Sequence, residues 1–161
     1  TQVQQRGAIA NAGQQLGLAQ RMLDLSIDYV NQRKQFGKAI GSFQALKHKL
    51  ADVVSAIEIA KPALYRAAYS LSKQNEQAHV YVAQAVLQAR DAGKLAAKHS
   101  IQAHGAMGYT WEVDLQMFMK RCYALQACWG RSSHYEKVVL HALLAEPELA
   151  DPSCIFTEVS Q

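Results

Sequence analysis

The chain has no uninterrupted apolar run approaching the roughly 18 to 20 residues that a bilayer span requires, so no membrane-crossing helix is expected. Cysteine is scarce and odd in number, Cys122, Cys128 and Cys154, and no secretory leader pattern precedes them. Free thiols in a reducing compartment are the expectation. A strong excess of one charge sign is also lacking: 17 basic residues face 13 acidic ones, a formal +4. The basic residues are scattered apart from Arg33, Lys34, Lys38, Lys47 and Lys49. Without a dense basic face interleaved with aromatics, nucleic acid is not the expected partner, and the mild positive field suits a small phosphate-bearing cofactor. Only nine Gly and three Pro in 161 residues, with half the chain apolar and 19% charged, exclude disorder and fit one folded helical domain. The chain has no initiator Met and enters directly into helical pattern, as expected of a piece of a longer polypeptide.

Strand signals are missing, and the helical period is present almost throughout. Leu16, Met22, Leu23, Ile27 and Val30 recur at helix-face spacing and predict a first helix from about Val3 to Gln32. Gly7, Gly13 and Gly17 inside it point to close approach of another helix or a ligand. Arg33 to Phe43 carries two glycines and no period, which reads as a connector with an internal turn. Leu46, Leu50, Val53, Ile57, Leu64, Ala68 and Leu71 form a second amphipathic run, with a kink expected at Pro62. A third helix is predicted from Glu76 to His104, with Val80, Ala83, Val86, Leu87 and Ile101 inward, ending at Gly105. A fourth, from Asp114 to Cys128, carries Leu115, Phe118, Met119, Cys122 and Leu125 and stops near Gly130. A short last helix, Ser132 to Ala145, has Ser132 or Ser133 as candidate N-cap. Long helices with short connectors predict an all-α, antiparallel four-helix bundle with a short extra C-terminal helix. Residues 1–146 are read as that domain and 147–161 as a C-terminal tail.

Familiar reaction centres are absent too. A di-metal carboxylate site in a bundle needs paired Glu-x-x-His spacings, and only Glu76-Gln-Ala-His79 occurs, at a helix start where Glu is favoured anyway. No metal site is assigned. No Gly-x-Ser-x-Gly elbow exists, and Cys122 and Cys128 fall on an apolar helix where thiols are inert. The connectors are richer. Arg33-Lys-Gln-Phe-Gly37 combines a fork-shaped donor, an amide, an aromatic ring and a glycine, enough to hold a phosphate oxygen and pack on a planar ring. The competing reading is a solvated loop whose Phe36 plugs the core.

The run from Gly17 to Asp24, Tyr29, and Arg33 through Gln44 resembles the signature of the acyl-CoA dehydrogenase C-terminal domain. Gln102-Ala-His-Gly-Ala-Met-Gly-Tyr-Thr-Trp-Glu112 resembles the same family's Gln-x-x-Gly-Gly-x-Gly-Tyr/Phe-x-x-Glu segment, at the family's separation. Together they cover about Ala8 to Leu144. The resemblance implies that Arg33, Gln35, Phe36 and Gln44 reach the adenosine-diphosphate part of an FAD held mainly by a partner subunit, and that Gln102, Gly105 and Ala106 line the opposite side of such a site. It implies a bacterial cytoplasmic enzyme, a homo- or hetero-oligomer, that dehydrogenates an acyl-CoA thioester at the α,β bond and passes electrons to a transfer acceptor. A carboxylate would take the α-proton while the β-hydrogen leaves as hydride to the flavin.

This sequence departs from the family at telling places. Ala106 replaces the second glycine of the usual pair, a mild change unless the position needs positive φ. Trp129 falls where many members carry the catalytic glutamate, and Arg131 and Ser133 replace residues that usually follow it. Ala8 falls where several members have a substrate-holding arginine, with Arg6 more than half a helical turn away. An indole has no lone pair free to accept a proton, so no catalytic residue is assigned. Two explanations stay open: a base on the first helix, expected about two turns before Thr1, or a subunit without a base beside a catalytic partner. The chain by itself is expected to be inactive.

Overall fold

The computed structural model describes residues 1–146. Five α-helices are joined by short connections: α1 (Gln2–Gln32), α2 (Gln44–Ser72), α3 (Ala78–His104), α4 (Leu115–Gln126) and α5 (Ser132–Ala145). Between α1 and α2 lies a two-stranded antiparallel hairpin, β1 (Lys34–Gln35) and β2 (Lys38–Ala39), pairing Lys34 with Ala39 and Gln35 with Lys38. The all-α bundle with a short last helix is the predicted architecture. The hairpin was not foreseen, because two residues per strand are too few to show a period of two.

Helix α3 is the axis of the bundle and touches α1, α2, α4 and α5. Its sequence explains this. Ala83, Ala85, Ala89, Ala92, Ala96, Ala97 and Ala103 are all buried, so small side chains leave it apolar nearly all round and let its neighbours approach. Helix α1 buries Leu16, Met22, Leu23 and Val30, while Ile27 at the edge of the stripe is exposed. Helix α2 buries Leu50, Val53 and Ile57 and then Ala67, not Ala68. It runs unbroken through Pro62. Several polar groups in the interior are paired: Gln15 donates to Asn11 Oδ1 at 2.6 Å, Asn11 donates to the Leu125 carbonyl at 3.1 Å, and the Ser26 and Ser100 hydroxyls both donate to the Met22 carbonyl. Gln15 Oε1 and Arg90 Nε are buried without a hydrogen-bond partner.

Three expectations change. Helix α4 ends at Gln126, so Cys128 lies beyond it and is exposed, whereas Cys122 is buried as expected. Neither Ser132 nor Ser133 is the N-cap of α5; Arg131 holds that position, and the Ser132 hydroxyl is turned inward to another partner. Of the α1 glycines, only Gly7 is crowded: a Cβ there would meet the Trp129 ring at 2.3 Å, while Gly13 has ordinary contact and Gly17 open space. Cys154 and the tail reading of 147–161 lie outside the described residues.

Candidate functional site

Tyr29 near the end of α1 stacks on His104 at the end of α3, ring centroids 4.3 Å apart. That contact brings the hairpin after α1 and the loop after α3 to the same end of the bundle, where α2 also begins. All seven predicted site residues therefore gather there. Arg33, Gln35, Phe36, Gln44, Gln102, Gly105 and Ala106 are each exposed.

The hairpin turn explains the display. Phe36 and Gly37 have φ of 53° and 76°, the pair of positive values that a two-residue turn between right-twisted strands demands. The backbone is closed by the Ile40 N–H, which donates to the Arg33 carbonyl at 2.9 Å. Phe36 is 91% exposed, so the reading in which it plugs the core is excluded. Its ring meets only the edge of Phe43, over which Lys38 Nζ sits at 4.5 Å from the centroid. On the α3 side, Gly105 has φ of 59° with nothing within 4 Å of where a Cβ would stand, and Ala106 keeps negative φ, so its methyl is tolerated. Chemically this end offers a forked cation, three amides, an uncovered ring and an open glycine backbone, a set that fits a phosphate-bearing group attached to a planar one.

His104 is buried, with Nδ1 2.9 Å from the Ser100 carbonyl. Burial pushes its pKa below the ordinary 6.5, against a smaller upward pull from that hydrogen bond. It is neutral at pH 7 and packs as an aromatic ring.

The opposite end is built around Trp129. The residue has φ of 61° and is 47% exposed, and its ring lies over Gly7 of α1. With Ala10, Asn11, Gln14, Arg121, Leu125 and Cys128 it lines an open surface cavity of about 510 Å³ between α1 and α4. Arg121 donates to Gln14 Oε1 at 3.2 Å. Ala8 is buried in the core and carries no group to this cavity. The α1 residue that meets the Trp129 ring is Gly7. Neither position that abuts this point, 7 or 129, holds a proton acceptor.

Two residues here were invisible to the sequence reading. Arg90 of α3, 1% exposed, donates to the carbonyls of Cys128 and Gly130 and to Ser132 Oγ, and Tyr135 of α5 donates to the Trp129 carbonyl. A signal existed: Arg90 shares a helix face with Val86, Gly93 and Ala97, all buried, and a charge on a core stripe calls for an explanation. A second cavity of about 370 Å³ is lined by His79, His134, Lys137 and His141, but among the described residues no three His, Cys, Asp or Glu side chains are grouped to hold a metal ion. No described helix is long and apolar enough to cross a membrane.

Comparison with known proteins agrees with this architecture. The profile of the family described as acyl-CoA dehydrogenase, C-terminal domain, matches residues 3–143. The acyl-CoA dehydrogenase IpdE2 of Mycobacterium tuberculosis is 40% identical over 116 residues, 72% of this chain and 35% of that protein. The caffeyl-CoA reductase-Etf complex subunit CarC of Acetobacterium woodii is 33% identical over 138 residues, 86% of this chain and 36% of that protein. Among solved structures, butyryl-CoA dehydrogenase from Megasphaera elsdenii superposes with a TM-score of 0.83 at 31% identity, covering 88% of this chain and 37% of that one. The chain thus spans roughly a third of the length of these relatives. A bundle of this topology, matched over nearly all of its described length, belongs to the acyl-CoA dehydrogenase C-terminal domain family.

Proposed function

We propose that the complete protein is a cytoplasmic FAD-dependent dehydrogenase of acyl-CoA thioesters, and that this chain is the part that closes one side of a flavin site and supplies subunit contacts. The observation that carries this reading is Phe36. A bulky residue held at positive φ is strained, and an aromatic ring left 91% exposed gains almost nothing from burial within this chain. What compensates must come from outside it, and a flanking guanidinium and amide mark that absent surface as anionic and planar.

In this reading Arg33 holds diphosphate oxygens with two parallel N–H bonds, Phe36 packs on the adenosine part, and Gln35, Gln44 and Gln102 supply directional donors while Gly105 and Ala106 leave room for close approach. FAD, when bound, supplies the hydride acceptor. The two ends of the bundle stand about 35 Å apart along α1, too far for one flavin to meet both, so they serve two flavins and the assembly is an oligomer. An electron-transfer protein as acceptor is supported by the relative named as a subunit of an Etf complex. A second reading, a subunit without a base that works beside a catalytic one, is favoured by the glycine at 7 and tryptophan at 129. Dehydrogenase activity of the complete protein with no other subunit present excludes that second reading.

The test of the flavin assignment is the FAD-to-protein ratio of the complete protein. Arg33→Ala is expected to weaken flavin retention by roughly tenfold or more, from about 1.5 to 3 kcal/mol per charge-assisted bond, and Lys34→Ala to change it little. Equal flavin content in the two variants removes the basis for the assignment.

A further inference from the structure

Trp129 and Gly130 both have positive φ, 61° and 105°. For a tryptophan this conformation is strained and persists only where the surroundings over-determine it. Here three consecutive loop carbonyls are each taken by a donor from another element. Arg90 Nη2 donates to Cys128 O at 2.9 Å and to Gly130 O at 2.8 Å, and the Tyr135 hydroxyl donates to Trp129 O between them. Arg90 Nη1 adds a bond to Ser132 Oγ at 3.1 Å, which ties the start of α5 to the same guanidinium.

Arg90 has no carboxylate partner among the described residues; its charge is met by these oxygens and by the face of Tyr135, 5.2 Å from ring centroid to guanidinium carbon. Burying a cation without an acid is costly, and an apolar side chain would fill that part of α3 without the cost. What the guanidinium adds is a rigid planar fork, whose Nη2 meets both carbonyls while Nη1 reaches the Ser132 hydroxyl at the start of α5. The fixed carbonyls flank Trp129, and the loop so held aims the indole at α1, where Gly7 alone leaves room for it.

We propose that Arg90, seconded by Tyr135, is a positioning residue that locks the left-handed loop and thereby sets the Trp129 indole over Gly7 as the fixed wall of the cavity between α1 and α4. The wall is placed by its backbone and not by packing of the indole itself. Any residue at 129 is therefore presented along the same direction. This requires neither flavin nor substrate, so it stands apart from the proposed function.

The test labels the complete protein with 5-fluorotryptophan and assigns the Trp129 fluorine resonance by its loss in Trp129→Phe. Arg90→Met is expected to move that resonance toward the position of free fluorotryptophan and to broaden or split it. Arg90→Lys keeps the charge without the fork and is expected to give a smaller displacement. Trp111, outside the clamp, should hold its resonance in both. An unmoved Trp129 resonance in folded Arg90→Met overturns the proposal, and so does a joint shift of Trp111 and Trp129 of similar size, which would mean that Arg90 merely supports the bundle. Should Arg90→Met not fold, Arg90→Lys decides alone, and an unmoved Trp129 resonance in it overturns the proposal. The readout is the indole environment, so the result does not depend on whether the protein proves to be a dehydrogenase.

Discussion

The two ends of this bundle display side chains by opposite means. At the hairpin end the site residues are exposed, and a short turn with two positive φ values carries Phe36 and its neighbours, with Phe43 alone meeting the Phe36 ring at its edge. At the Trp129 end the displayed residue is gripped from behind, by a guanidinium buried in the axial helix and a tyrosine hydroxyl from α5. The first arrangement suits residues whose partner lies outside the chain, since little within the fold depends on them. The second makes a surface feature part of the core. Substitutions at the two ends should therefore separate stability from binding.

The largest difference is expected between Arg90→Met and Arg33→Ala. The first removes three charge-assisted bonds and leaves the Cys128 and Gly130 carbonyls without partners, partly offset by relief of a buried cation. A loss of about 2 to 4 kcal/mol is expected from denaturant midpoints at unchanged m. Arg33→Ala, fully in solvent, should stay within about 0.5 kcal/mol. If the two midpoints coincide, the contrast between the ends is only one of exposure.

Legibility in the sequence follows the same division. The helices were readable because their stripes run for many turns, and Leu16 to Val30 or Leu50 to Ile57 repeat the period often enough to fix a face. The hairpin end stood out because Arg33 to Gly37 put a forked donor, an amide, a ring and a glycine in five consecutive positions, but that chemistry alone left a solvated loop open, and the resemblance to the family supplied the flavin reading. The strand pairing and the turn that lifts Phe36 were missed, since glycine marks a turn without stating its hand. The Trp129 end was not readable in this way. Arg90 lies about 40 residues before the stretch that holds Trp129, Ser132 and Tyr135, and nothing in Arg90-Asp91 distinguishes a buried arginine from a solvated one except its apolar neighbours one turn away. The tryptophan itself was noticed only as a departure from the family, and what the departure rests on, Gly7, is more than a hundred residues distant.

A smaller effect should divide the ends by pH. His104, stacked on Tyr29 behind the Gly105 loop, has a folded pKa below 6.5 because burial disfavours its charged form. The unfolded chain then binds more protons than the folded one as pH falls below about 6.5, so stability rises with pH through that window and is lost on acidification. His99, lowered by burial and by Lys49 and Lys98 despite Asp52, acts in the same sense. His104→Phe keeps an aromatic ring for Tyr29 and removes one titrating group. Its melting temperature should fall less between pH 7.5 and 5.5 than that of the parent. An unchanged pH slope would mean that His104 is not buried in solution and that the hairpin end is looser than described.

The smallest expected change in stability, Gly7→Ala, is the one that says most about how Trp129 is held. A Cβ at position 7 would stand 2.3 to 2.5 Å from three carbons of the indole, so something must move. The atoms it meets are the far end of a half-exposed side chain, and the loop backbone behind that side chain is fixed by Arg90 and Tyr135, so the ring should rotate outward while the loop stays. Alanine gains about 0.8 to 1.0 kcal/mol of helix propensity over glycine in the interior of α1, and the displaced indole gives up a comparable amount of packing. The net change should lie within about 0.5 kcal/mol, while Trp129 emission shifts to the red and becomes more open to acrylamide, measured against a Trp129→Phe control. A loss of several kcal/mol instead would mean that the ring cannot turn away without dragging the loop, and that the indole, not Arg90, holds this end together.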